Sequence, residues 1–285
     1  MRIENQEQAE YWGRSASGAK WLTLEEQLDA ALGPVADLVL NRAALTHGER
    51  VLDVGCGTGA TTLMAARAVG PFGHVLAADI GEQLAARARD RIAAAGLLNA
   101  EIRLCDAQIE EFEPHGREAI ISRFGMMFFS DPVAAFSNLA EALAPGGRMV
   151  FAAWGPLEGN PWFRIPFIAA TTRLGRPPKT DRNAPGPLAF HDINRVLGLM
   201  EAAGLSEAEA TTEEVSLTPV GSTADAAALL TRVGPAVRVI DHFGGGAEDA
   251  RAIEADVESA ITPFEEAGGV TVPATINLYS WRKPA

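Results

Sequence analysis

Three glycines stand at every second position in Val51-Leu52-Asp53-Val54-Gly55-Cys56-Gly57-Thr58-Gly59, behind a short apolar run that carries a carboxylate. Glycine lets the backbone approach a ligand closely and take φ values closed to other residues. A helical run, Ala60 to Val69, follows at once, so its free N–H groups face the same spot. Together these features make a cradle for a nucleotide-type ligand at the edge of a parallel sheet. Two more acids fit such a ligand. Asp79 ends the next apolar run, where a carboxylate can accept from both hydroxyls of a ribose. Asp106 ends the one after, where an acid can accept from the amine of a base while the N–H beside it, at Ala107, donates to a ring nitrogen. A bare glycine turn, a helix-capping Asp79 and a turn Asp106 are the competing readings.

The elements that must position these residues alternate. Strands are expected at 51–54, 74–79, 100–105, 118–122 and 148–154, with helices between them, which argues a mostly parallel, doubly wound sheet covered on both faces. Asp131-Pro132 reads as a helix start, a capping acid followed by proline, and Pro145-Gly146-Gly147 as that helix's end. Upstream, residues 22–44 have helical period, with a break expected at Gly33-Pro34. The rhythm fails at 155–190, where Pro156, Pro161, Pro166, Pro177, Pro178, Pro185 and Pro187 crowd together. The expected organisation is an N-terminal helical lid at 1–47, a nucleotide-binding core at 48–154, a cap insertion at 155–190, a core continuation at 191–221, a helical cap at 222–270 broken at 234–235 and 244–246, and a last core strand at 271–285.

Composition weighs against several classes. The formal charge of −13 opposes binding to nucleic acid or an anionic membrane, both of which need Lys and Arg against phosphate. No apolar run reaches the roughly 20 residues needed to span a bilayer, and the first residues lack a signal-peptide layout, so a cytoplasmic location is expected. Two cysteines, Cys56 and Cys105, make neither a disulfide framework nor a metal site, and no metal is expected. Oligomeric state is left open, a homo-oligomer included.

The tight G-x-G-x-G after Asp53-Val54, with an acid closing the next strand, resembles motif I of the class I S-adenosylmethionine (SAM)-dependent methyltransferases. The dinucleotide pattern G-x-G-x-x-G would instead need its third glycine at Ala60, where alanine is tolerated, so an NAD-dependent oxidoreductase stays open. A second segment, Ser122-Arg123-Phe124-Gly125-Met126-Met127-Phe128-Phe129-Ser130-Asp131-Pro132, looks like the corresponding stretch of the ubiquinone/menaquinone-biosynthesis C-methyltransferase family. Tyr11-Trp12-Gly13 with Gly18 and Trp21 is similar to that family's aromatic lid, as are Pro145-Gly146-Gly147-Arg148 and the run from Trp154 to Trp162 to its later segments. The family pattern enters the fourth strand through Phe-Asp; here Pro114-His115-Gly116-Arg117 stands there, which leaves that strand's register open.

The resemblance implies a Rossmann-like α/β fold and SAM as cofactor. Its contacts would be Trp12, Trp21, Asp53, Gly55, Cys56, Gly57, Gly59, Thr62, Asp79, Ile80, Asp106, Ala107, Ser122, Arg123 and Phe124. An aromatic lid could meet a sulfonium by cation–π attraction, worth about 0.5–2 kcal/mol; Trp12 and Trp21 could equally staple the first helix to the body. Met126, Met127, Phe128, Trp154 and Trp162 would face a small-molecule methyl acceptor, with core packing as the alternative for the first three. SAM arrives activated, so alignment and exclusion of water are the main demands, and a base is needed only for an acceptor that must lose a proton. His191, before a helix start and after an apolar segment, is the best-placed base candidate. A SAM-binding module without catalysis is the remaining alternative.

Overall fold

The computed structural model describes residues 3–285; Met1 and Arg2, with which the expected lid opens, lie outside the described residues. Three helices come first, α1 (Gln6–Arg14), α2 (Ala16–Thr23) and α3 (Glu25–Ala43). Then β1 (Arg50–Val54), α4 (Ala60–Val69), β2 (His74–Asp79), α5 (Glu82–Ala94), β3 (Ala100–Leu104), β4 (Arg117–Arg123), α6 (Pro132–Ala142) and β5 (Leu143–Trp154) alternate. They are followed by α7 (Pro161–Leu174), α8 (Ile193–Ala202), β6 (Glu209–Leu217), α9 (Thr223–Arg232), α10 (Pro235–Phe243) and α11 (Ala247–Ile261). A two-residue ribbon, β7 (Glu265–Glu266) with β8 (Gly269–Val270), precedes the final strand β9 (Val272–Arg282).

Among the described residues, seven strands form one sheet in the order β3-β2-β1-β4-β5-β9-β6. The pairings from β3 through β5 are parallel, and β9 runs antiparallel to both its neighbours. The fold is therefore the expected Rossmann-like α/β type. Central strands read as near-continuous apolar runs because helices cover both faces, and Leu52, Leu76, Ile120, Ile121 and Phe151 are fully buried. The strand order turns at β1, between β2 and β4, and a crevice opens at such a switch point beyond the carboxyl ends of the strands. Both specific segments of the sequence, 51–59 and 122–132, leave the sheet there.

Two local expectations are corrected and two open points are filled in. Gly33-Pro34 does not break the helix: α3 runs through Pro34. A helical proline deprives the carbonyl four residues earlier of its donor. That carbonyl is Ala30 O, and Thr218 Oγ1 donates to it at 3.4 Å. Pro145-Gly146-Gly147 does not terminate α6 as a loose turn but belongs to β5, because Gly146 N donates to Lys283 O and Lys283 N to Gly147 O. The proline-rich 155–190 carries a helix: α7 starts on Pro161, at a first-turn position where no donor is needed, and continues past Pro166. The open register of β4 resolves with Ala119 beside Val51 and Arg148, and the irregularity falls between Arg117 and Ala119.

Downstream, Asp192 caps α8 by accepting from Arg195 N. The expected helix breaks fall at Gly234-Pro235 and at Gly244-Gly245-Gly246. Helices α7, α9, α10 and α11 pack on one another, and α7 also lies on β9. Among the described residues no helix is long and apolar enough to cross a membrane.

Candidate active site

The glycine loop is held by contacts beneath it. Asp53 accepts from Thr62 Oγ1 at 2.7 Å, and its other oxygen has no partner although the side chain is buried. Burial pushes the Asp53 carboxyl up to about 6, against the Thr62 hydrogen bond and the nearby Arg123 charge. Gly55 has φ +70, and a Cβ there would lie 2.6 Å from Gly125 Cα, so two backbones cross in contact at this point. Ser122 Oγ donates to Val54 O at 2.7 Å and accepts from Gly125 N at 3.1 Å, which fixes that crossing from the β4 side. Gly57 also has a positive φ, +57, but a Cβ there would meet nothing within 4 Å. Arg91 ties the loop to α3: it donates to Thr58 O and Oγ1 and pairs with Asp29 at 2.7 Å.

The two nucleotide-type acids are used differently. A carboxylate has about four acceptor positions. Asp79 fills two of them, one from Gly57 N and one from Gly81 N, each at 2.7 Å. Two remain, enough for a vicinal diol, and Asp79 lines the central cavity. Burial pushes this carboxyl up to about 6, while the bonds from Gly81 and Gly57 work in the other direction. Asp106 is filled. Its Oδ2 accepts from Glu4 N and Asn5 N, and its Oδ1 from Asn5 Nδ2 and Gln108 N, at 2.8–3.1 Å. The expected role for Asp106 as acceptor of a base amine therefore meets a carboxylate already engaged by the residues just ahead of α1 and by Gln108.

Asn5, which the sequence reading passed over, is the knot of this arrangement. Buried just ahead of α1, it donates to Asp106 and to Gln108 Oε1 and accepts from Ser130 N at 2.6 Å. Gln83 Nε2 adds a bond to Trp12 O at 3.0 Å. Replacing Asn5 with alanine is expected to free α1 and α2 while the sheet stays intact. Hydrogen exchange followed by mass spectrometry would read this as faster exchange confined to residues 4–23, a local loss of about 2 kcal/mol. Unchanged exchange there would refute the role.

The cavity lies between this N-terminal segment, the strand ends and the later helices. Tyr11, Trp12, Trp21, Leu28 and Leu32 close it from α1–α3; Gly55, Gly57, Asp79, Ile80, Asp106 and Ala107 form one side. Arg123, Phe124, Gly125, Met127, Phe128 and Trp154 form the other, with Trp162, Phe163, Val233, Gly234 and Arg238 beyond. Trp12 meets Tyr11, Trp21 and Phe128 edge-on at 4.9–5.6 Å between ring centroids. Phe124, which has φ +68, stacks on Trp154 at 4.6 Å and 2°. Arg123 is partly buried and only loosely held, by Asp29 at 4.0 Å and Leu32 O at 3.4 Å, since Arg91 takes Asp29 more closely.

Several expected contacts lie off the cavity wall. Asp53, Cys56, Thr62 and Ser122 sit beneath it, and Gly59 packs against Ala88 as the N-cap of α4. Burial raises the Cys56 thiol. Met126 is core. His191 is not brought to the cavity: its Nδ1 lies 2.7 Å from Leu188 O beside the start of α8. Conversely, Asn5, Gln8, Phe163 and Arg238 line the cavity without having been singled out. Phe163 follows Trp162 at the start of α7, whereas nothing local marks Arg238.

The geometry fits SAM: two open acceptor positions for its ribose, a loosely held cation for its carboxylate, and aromatic faces for its sulfonium. Comparison with known proteins agrees. Residues 51–147 match a family model described as a methyltransferase domain. The chain is 36% identical over 104 residues to the aklanonic acid methyltransferase DauC of Streptomyces sp. (strain C5), covering 36% of this chain and 47% of that protein. It is 31% identical over 121 residues to the ubiquinone/menaquinone biosynthesis C-methyltransferase UbiE of Burkholderia cenocepacia (strain HI2424), covering 41% and 49%. The chain thus spans about half the length of these curated relatives. A SAM-dependent methyltransferase from Aquifex aeolicus superposes with a TM-score of 0.53 at 20% identity, covering 70% of this chain and 94% of that one, a likeness of fold. Residues 51–147 are thus similar to a methyltransferase domain, and the fold is one that SAM-dependent methyltransferases share.

Proposed function

We propose that this protein transfers the methyl group of SAM to an O, N or C centre of a small aromatic or apolar metabolite. The observation that carries this reading is a single cavity with an under-filled Asp79 at the glycine loop on one side and an aromatic wall on the other. When bound, SAM supplies an activated methyl group whose leaving partner is a neutral thioether.

The chain's own residues do the rest. Asp79 holds the ribose diol with its two free acceptor positions, and Gly57 lets the loop backbone approach. Arg123 meets the carboxylate of the methionine part. Trp12, Trp21 and Phe128 exclude water and present ring faces to positive charge. Asp106 holds the N-terminal segment in place through Asn5. Helices α7 and α9–α11 serve as the cap that selects the acceptor. His191 is set aside as a base. A cytoplasmic location belongs to the same reading, supported by two buried, unpaired cysteines.

Calorimetric titration with SAM, S-adenosylhomocysteine and NAD tests the cofactor assignment; binding of the two sulfur compounds and not of NAD is expected. Tight NAD binding with no SAM binding would overturn it. Transfer of labelled methyl from SAM across a panel of aromatic acceptors then tests the reaction, and SAM binding with no transfer to any of them would favour a silent binding module.

A further inference from the structure

We propose that the acceptor is a flat aromatic molecule carrying an anionic oxygen, and that Arg238 on α10 is the residue that meets its charge. The proposal rests on the methyltransferase reading above and adds the acceptor's class to it.

The acceptor side of the cavity is built of rings. Phe124 and Trp154 are stacked, and Phe163 stands edge-on to Trp154 at 4.6 Å and 78°. Such a wall receives a planar ring by stacking or edge contact. The ionisable side chains on the whole cavity wall are Tyr11, Asp79, Cys105, Asp106, Arg123 and Arg238. Asp106 is filled, Asp79 lies with the glycine loop, and burial pushes the Cys105 thiol up to about 12, so it stays protonated. Tyr11 packs against Trp12 on α1. No His, Lys or Glu lines the wall among the described residues. The acceptor side therefore offers no imidazole or carboxylate to remove a proton.

It does offer a cation. Arg238 sits one turn into α10, after Gly234, whose added Cβ would come within 3.6 Å of Phe163. Arg123 has Asp29 and Leu32 O, but Arg238 has no ion pair or hydrogen bond among the described residues. A neutral acceptor needing deprotonation would find no base, whereas one that arrives ionised needs none and finds its counter-charge waiting. An oxygen lone pair of that anion forms the new O–C bond; the C–S bond breaks with its electron pair left on sulfur. No proton moves, and the negative and positive charges are consumed together.

The test uses anthracene-2-carboxylate and anthracene-2-carboxamide, equal in shape and different in charge, titrated calorimetrically with and without S-adenosylhomocysteine. The carboxylate is expected to bind about tenfold more tightly. Arg238→Ala should bring it to the level of the amide, with amide affinity unchanged, and Arg238→Lys should keep most of the preference. Equal binding of acid and amide to the wild type, a preference that survives Arg238→Ala, or no binding of either probe would each overturn the proposal. Failure to bind S-adenosylhomocysteine would instead count against the methyltransferase reading, because the acid–amide comparison is made without it as well.

Discussion

Gly55→Ala is expected to lose a large part of the protein's stability, whereas Gly57→Ala, two residues away in the same loop, keeps most of it. Both positions have positive φ, which costs a residue with a Cβ about 1–2 kcal/mol. At Gly55 a second cost is added, because the new Cβ would lie 2.6 Å from the backbone of Gly125 and neither strand end can move aside. Overpacking of that kind costs about 1–3 kcal/mol. The sum is a large share of the roughly 5–15 kcal/mol that holds a domain together. Thermal denaturation should show a fall of roughly 10 °C or an absent transition for Gly55→Ala, and only a few degrees for Gly57→Ala. The order is expected to reverse in function: the Cβ of Gly57→Ala meets no protein atom within 4 Å, and Gly57 lines the cavity, so cofactor affinity should fall in a folded protein. Equal melting temperatures for the two variants would refute the assignment of the Gly55–Gly125 crossing.

Asp79→Ala is expected to weaken SAM binding at least about tenfold, or about 1.4 kcal/mol. Unchanged affinity by calorimetry would sink the ribose role. The acid also makes stability and binding respond oppositely to pH. Its carboxyl titrates near 6 in the folded protein because burial disfavours the ionised form, against an ordinary value of 3.8. A folded carboxyl raised in this way binds protons that the unfolded chain has already lost, so its contribution to stability falls as pH rises from about 4 through 6. The displacement corresponds to about 3 kcal/mol. Asp79→Asn should make that part of the stability profile shallower, leaving the share that the similarly raised Asp53 contributes. Over the same range the wild type should gain SAM affinity as pH rises, since only the carboxylate accepts from both hydroxyls. Parallel stability profiles for wild type and Asp79→Asn would contradict the buried, elevated carboxyl.

Features that were legible in the sequence are those written locally. The glycine loop, the acid closing each of three strands, the Asp131 and Asp192 caps and the breaks between α9, α10 and α11 each depend on residues a few positions apart. What was missed depends on distant partners. Pro34 reads as a breaker until Thr218 is found donating to Ala30 O. Pro145-Gly146-Gly147 reads as a turn until Lys283 pairs with it. Asp106 reads as a free acceptor because Asn5, a hundred residues earlier, carries no periodic or motif signal. Arg238 looks like any solvated arginine on a cap helix, and only the cavity marks it. His191 was misplaced for the opposite reason: its neighbours in sequence resemble cleft residues, but the start of α8 turns it toward Leu188.

The position of β9 has a consequence for synthesis. It alone pairs with β6, and it separates β6 from β5 in the sheet. When β6 leaves the ribosome, the helices α9–α11 must still be translated before its partner emerges. Until then β5 and β6 both present unpaired strand edges, the surfaces most prone to joining another chain. The nascent protein thus has a defined interval of vulnerability that closes only with residues 272–282. Slowing translation across α9–α11 should lengthen that interval and increase capture by chaperones, without altering a single residue of the finished molecule.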